Sequence, residues 1–280
     1  MSTLWVGTSW KMTKTLAEAR TWAEGLREAL APDAASSHLT GTADSAGTAG
    51  GTGPTAGTGT PFTRVQPFVI PSFTATTTVR EILGEDSPAL LGVQNAHWEE
   101  AGAWTGEVSV PQAKDAGAQI VEIGHSERRE HFGETVETTR LKVAATLRHG
   151  LTPLLCIGES AEVKEAGGSS EFILEQARGA LDGLSAEELS RVVIAYEPIW
   201  AIGEKGRPAT VEELAEPFAA LGAEYGGQVT GLLYGGSVNL DNAASLLGIE
   251  HVTGLFVGRT AWQLEGYLEL LSIAEQHAAS

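Results

Sequence analysis

Lys11, His125 and Glu197 are the three side chains on which proton-transfer chemistry could be built. They are a cation, an imidazole and a carboxylate, each standing where a short apolar run gives way to a polar loop. Glu197 carries the sharpest signal. It is the first charged residue after the apolar run 192–196, so it falls at the carboxyl-terminal end of a strand buried on both faces. Pro198 fixes its own φ and restricts the residue before it, which limits where the carboxylate points. Trp200, Ala201 and Ile202 supply a small apolar flap beyond it, of the kind that excludes water from an acid–base group. The plain alternative is a Glu-Pro pair that merely ends a strand. The rest of the chain decides between them.

Apolar runs recur at 4–7, 67–70, 90–93, 120–123, 154–157, 192–195, 232–234 and 255–257. Helical spacing with charged faces falls between many of them, at 16–30, 135–149, 172–181, 212–225 and 262–276. Strands alternating with helices imply βα units and a parallel sheet. Eight such units in 280 residues predict a single α/β domain, residues 1–280, closed as a (β/α)8 barrel, whereas a doubly wound open sheet usually stops nearer six strands. The segment 34–61 is dominated by Gly, Thr, Ala and Ser and cannot build a core. It reads as a disordered, low-complexity insertion after the first helix, on the face away from the strand carboxyl ends and without a catalytic role.

The net charge of -18 argues against a nucleic-acid or anionic-membrane partner, though a local positive pocket can still hold a small anion. The sequence shows no apolar run long enough to span a bilayer and no signal-peptide core, so a soluble cytoplasmic protein is expected. A single cysteine, Cys156, excludes an internal disulfide, and the histidines lack the spacings of metal sites, so neither metal nor cofactor is expected. Cys156 lies inside an apolar run and reads as packing.

Barrel enzymes place their chemistry on the loops after the strand carboxyl ends. Those loops carry Thr8-Ser9-Trp10-Lys11-Met12 after the first strand, Gly-His-Ser-Glu-Arg-Arg at 124–129 after the fourth, and Glu197 after the sixth. After the seventh comes Tyr234-Gly235-Gly236-Ser237 and after the eighth Gly258-Arg259, small residues able to turn backbone N–H groups toward a phosphate. Singly, Lys11 reads as a surface lysine, His125 as a structural histidine, and Glu127 as a helix-start acid pairing with Lys11 or an arginine. Together at the strand ends of one barrel they read as a site.

Over nearly its whole length, the 34–61 insertion excepted, the chain resembles the triosephosphate isomerase family. The resemblance rests on Trp10-Lys11, Gln94-Asn95, Gly-Ala-Trp-Thr-Gly-Glu at 102–107, the 124–129 element, Cys156-Ile157-Gly158-Glu159, 195–203 and Tyr234 to Val238, in that order. It implies that Glu197 removes a proton from carbon beside a carbonyl, while His125 and Lys11 stabilise charge on oxygen through an enediol(ate). A neutral His125 acting as electrophile beside a helix N-terminus is the family's known role, taken from the resemblance and not from spacing. The resemblance further implies substrate contacts at Ser9, Lys11, Glu127, Gly203, Gly236, Ser237, Gly258 and Arg259. It also implies a homodimer through the 102–107 loop, with Thr105 reaching the neighbour's site.

Three positions depart from the family pattern. Its usual Asn is Ser9, its lid at 203–210 is about one residue longer, and its second Gly after the eighth strand is Arg259. Ser9 leaves room beside the carbonyl end that a hydroxymethyl group would fill. Arg259 adds a cation to the phosphate site, or else points to solvent or pairs with an acid. These features, with the Gly-Thr-Ser-Trp-Lys-Met start and the Gly-Arg-Thr-Ala-Trp ending, are similar to the erythrulose-phosphate branch of the family, which serves erythritol breakdown. The expected reaction is L-erythrulose 1-phosphate to D-erythrulose 4-phosphate. Glycolytic triosephosphate isomerisation is the alternative, and a non-catalytic barrel that binds a phosphorylated ligand is a distant one. A Schiff-base lyase would need a buried lysine, for which Lys11 is the sole candidate.

Overall fold

The computed structural model describes residues 3–32, 61–203 and 206–280. The insertion expected at 34–61 lies outside them apart from its last residue, as do Glu204 and Lys205 of the lid.

Eight parallel strands close into a barrel in sequence order, β1 (Leu4–Ser9), β2 (Val65–Ile70), β3 (Leu90–Val93), β4 (Ile120–Ile123), β5 (Thr152–Ile157), β6 (Val193–Tyr196), β7 (Gly231–Tyr234) and β8 (Gly254–Val257). The last strand returns to the first, with Trp5 paired to Gly254. Every residue of β4, β6, β7 and β8 is buried, as expected of strands covered by helices outside and side chains inside.

The helices are α1 (Leu16–Ala29), α2 (Thr76–Leu83), α3 (Val110–Asp115), α4 (Ser126–Phe132), α5 (Val136–Arg148), α6 (Ala161–Glu165), α7 (Ser169–Leu181), α8 (Ala186–Leu189), α9 (Val211–Tyr225), α10 (Ala243–Leu247), α11 (Arg259–Trp262) and α12 (Leu264–Ala279). Their starts are marked chemically. Thr15, Thr135 and Thr210 each cap a helix through the N–H three residues on, and that third residue's side chain bonds back.

Two apolar layers hold the barrel. Outside, Leu26, Val79, Val143, Ile173, Leu214, Phe218 and Leu270 belong to the large cluster that includes the outward strand residues. Inside, Phe68, Ile70, Ile120, Leu154, Cys156, Val193, Ala195, Leu233 and Phe256 fill the lumen. Phe68 stacks on Phe256 with ring centroids 5.8 Å apart. A Cβ on Gly7 would stand 2.2 Å from the Phe68 ring, so β1 must present a glycine where that ring crosses the lumen.

Candidate active site

Side chains alternate along a strand, and that alternation sets which residues crown the lumen. Val193 and Ala195 face inward, so Glu197 faces inward just past the end of β6. Its backbone N–H bonds the Ile157 carbonyl at 2.7 Å. Two glycines press against it: a Cβ on Gly158 would lie 2.0 Å from its carbonyl oxygen, and a Cβ on Gly235 would lie 2.7 Å from its Cγ. The side chain is buried, and Oε2 has no hydrogen-bond partner among the described residues. That oxygen stands 3.8 Å from His125 Nε2.

His125 caps α4 with its own ring. Its Nδ1 accepts the Glu127 N–H at 3.2 Å, so that nitrogen carries the lone pair and the ring proton resides on Nε2. The imidazole is therefore fixed as a neutral donor aimed toward Glu197, with the positive end of α4 beside it. Lys11 adopts φ +51°, a left-handed conformation that costs a non-glycine residue energy and is held here by Gln94 Nε2 bonding its carbonyl at 2.9 Å. Its Nζ reaches Glu127 Oε1 at 2.6 Å. Burial pushes the Glu127 carboxyl up, but the Lys11 hydrogen bond and the Lys11 charge more than reverse it, leaving it below the usual range.

Beyond Glu197 the chain makes a 3-10 turn, Ile199–Ala201, held from below by Glu159. Glu159 is fully buried; its Oε1 accepts from Trp200 Nε1 at 2.8 Å and Tyr196 Oη at 3.1 Å, and its carbonyl accepts the Ile199 N–H at 2.9 Å. The far side of the lid is fixed by Arg207, which stacks on Trp200 and chelates Glu213. The Arg207 hydrogen bonds hold Glu213 well below the usual carboxylate range, with Lys164 assisting.

These elements enclose a cavity of about 570 Å³. Ser9, Lys11, His125, Glu127, Glu197, Gly203, Gly236, Ser237, Gly258 and Arg259 all line it, so the structure brings the candidate catalytic and substrate-contact residues of this chain to one cavity, while Thr105 does not line it. The N–H groups of Gly236 and Ser237 have no protein acceptor among the described residues, and a Cβ on Gly258 would meet only open space. Those loops can cradle an anion. Arg259 neither pairs with an acid nor points away: its Nη2 donates to the Gly203 carbonyl at 3.2 Å, joining the barrel rim to the lid. The Ser237 hydroxyl donates to the Ala201 carbonyl at 2.7 Å, at the same end of the lid. Cys156 is buried, and desolvation plus the neighbouring Glu197 and Glu122 push its thiol up, which keeps it protonated and inert.

Sequence reasoning missed Glu122. It is 3% exposed, on the lumen face of β4 two residues after Ile120, and its Oε2 accepts the Ser9 hydroxyl proton at 2.8 Å. The available signal was a carboxylate in the middle of a four-residue strand that is otherwise Ile, Val and Ile. Among the described residues, no group of three or more His, Cys, Asp and Glu is placed to hold a metal ion, and no helix is long and apolar enough to cross a membrane.

The model of the family described as "Triosephosphate isomerase" matches residues 55–274. The chain belongs to the triosephosphate isomerase family. Within that family, an "L-erythrulose-1-phosphate isomerase" of Mycolicibacterium smegmatis is 68% identical over 274 residues, covering 98% of this chain and 94% of that protein. Proteins with the same name from Rhizobium rhizogenes and Brucella abortus biovar 1 are 46% and 47% identical, over 96% and 97% of this chain and 93% and 96% of their own lengths.

Proposed function

We propose that this isomerase of a short phosphorylated sugar interconverts L-erythrulose 1-phosphate and D-erythrulose 4-phosphate. The observation that carries the chemistry is the unpartnered Glu197 Oε2 facing His125 Nε2 at the lumen mouth. Glu197 removes the proton from C3, beside the C2 carbonyl, and the electron pair becomes the C2–C3 double bond of an enediolate. His125 Nε2–H and the Lys11 ammonium stabilise the charge that gathers on the C2 oxygen. The C3 hydroxyl gives up its proton and the C2 oxygen takes one up, with His125 Nε2 relaying it, and Glu197 returns its own proton to C2 as the C3 oxygen becomes the carbonyl. One proton leaves and one returns, so no cofactor enters the balance. Phosphate sits on the Gly236, Ser237 and Gly258 backbone, beneath a lid that Arg259 tethers.

The choice of a tetrulose rests on the small Ser9 side chain and on the names that the similar proteins carry. Measuring kcat/KM on L-erythrulose 1-phosphate and on glyceraldehyde 3-phosphate, with Glu197→Gln as the blank, tests it. At least tenfold preference for the tetrulose is expected. Preference for the triose would make this a triosephosphate isomerase.

The same reading includes a homodimer through the 102–107 loop. Trp104 is 49% exposed and packs against His97, which stacks on Trp98, while Met12 on the same rim is 98% exposed. Such a rim is costly in a monomer and suits a partner copy.

A further inference from the structure

The lumen beneath the reacting groups holds a pair that the mechanism above does not use. Ser9 and Glu122 come from β1 and β4, strands that do not pair with each other, yet their side chains meet across the barrel interior at 2.8 Å. Ser9 lies two residues before Lys11 and Glu122 three before His125, so the pair forms a floor under those two groups. Ser9 is 4% exposed and lines the cavity; Glu122 is 3% exposed and does not reach it. A buried carboxylate in an apolar lumen is costly, and one hydroxyl offsets only part of that cost.

The bond has a direction. A serine hydroxyl owns one proton and two lone pairs, and here the proton goes to Glu122 Oε2. Ser9 is left able only to accept from the cavity. A carbonyl oxygen placed against it would find no donor, whereas an alcohol would find an acceptor. With phosphate at the loops after β7 and β8 and the carbonyl between Lys11 and His125, the free end of the sugar is the part that faces this floor.

The geometry points to Ser9 as the acceptor for the terminal hydroxyl of the substrate, and to Glu122 as the positioning residue that turns Ser9 into an acceptor, so that the pair selects a four-carbon ketose phosphate ending in a hydroxymethyl group over a three-carbon one. This rests on the tetrulose reading above and adds the residues that enforce it. A hydroxyl left without its acceptor in a closed site costs roughly tenfold in binding, on top of what the added carbon contributes.

The test is the ratio of kcat/KM for L-erythrulose 1-phosphate to that for glyceraldehyde 3-phosphate in four proteins. Glu122→Leu, of similar volume in an apolar lumen, frees the Ser9 proton to rotate into the cavity. The ratio should fall about tenfold, through a raised KM for the tetrulose and not through kcat. Ser9→Ala should lower the ratio similarly, and the double variant should lower it no further, because the two act as one unit. Glu122→Gln keeps an amide oxygen that can accept from Ser9 and should retain most of the discrimination. Circular dichroism and melting curves check folding, and Ser9→Ala, a small change at the cavity wall, serves if Glu122→Leu does not fold. If the wild type prefers the tetrulose and both single variants keep its ratio, the floor is not the selector although the substrate assignment stands. If the wild type prefers the triose, the substrate assignment itself fails. A ratio lost equally in Glu122→Gln and Glu122→Leu would mean that Glu122 acts by charge or packing, which also overturns the proposal.

Discussion

Glu197 has contacts on every side except the one facing the cavity. The Ile157 carbonyl, Gly158 and Gly235 confine its backbone and stem, which limits where the carboxylate can go. Glu197→Asp draws the carboxylate back by ~1 Å, which should lower kcat on the order of 10²-fold while the circular dichroism spectrum stays unchanged. A variant with the parent rate would show that Glu197 is not the base. Glu122 makes a different prediction. Burial, with the Glu197 anion adding to it, pushes its carboxyl up to about 7 against the pull of the Ser9 hydrogen bond and Lys11. A carboxyl that ionises less readily folded than unfolded contributes stability at low pH, and that contribution is lost as pH rises through the folded value. Glu122→Gln cannot ionise, so its stability relative to the parent should grow by roughly 2 kcal/mol between pH 5 and pH 8. Urea denaturation at the two pH values reads this directly, and a constant difference would mean that folding does not shift the ionisation of Glu122. Lys11, His125 and Glu197 were legible in the sequence because each interrupts or follows an apolar run at a strand end. Glu122 was not, because a charged residue inside a strand changes no boundary and reveals itself only when alternate residues are assigned to the lumen.

Among the elements, the eight strands were legible because each is a compact apolar run, and α1, α5, α7, α9 and α12 because each is long enough to show a repeating face. The sequence reading did not reach α2, α3, α6, α8 and α10, which run from four to eight residues and are too short to show a repeating face. Nor did it show how the elements at the mouth are locked together. Lys142 of α5, 5% exposed, bonds Asn95 after β3 at 2.7 Å and Glu134 at 2.8 Å. Glu134 in turn accepts from the Gly124 N–H and Arg128 Nε, both at 2.8 Å, which ties the β4 end and α4 to the same point. Three donors, each distant in sequence from at least one other, converge on one carboxylate; no local pattern encodes that. Lys142→Met leaves Glu134 with a single cation, a change that costs about 3 kcal/mol when a buried partner is removed. The melting temperature should drop by roughly 10 °C. A drop of less than about 2 °C would show that the cluster is not what holds this corner.

For the whole molecule, the net charge of -18 opposes an anionic substrate everywhere except where Lys11 and Arg259 line the cavity, which concentrates attraction at the mouth. The apolar rim gives the assembly prediction. Sedimentation of the parent chain, 29.3 kDa, should show twice that mass, and Trp104→Glu should shift it toward one copy with at least a tenfold loss of turnover. A fully active parent monomer would sink the proposal. Closure of the barrel has a further consequence, for synthesis. The strand made first, β1, has β8 as one of its two neighbours, and β8 is made last. Until β8 has been made, a nascent chain therefore carries a β1 edge that β8 alone among the described strands covers, and a strand of a neighbouring chain can add there instead.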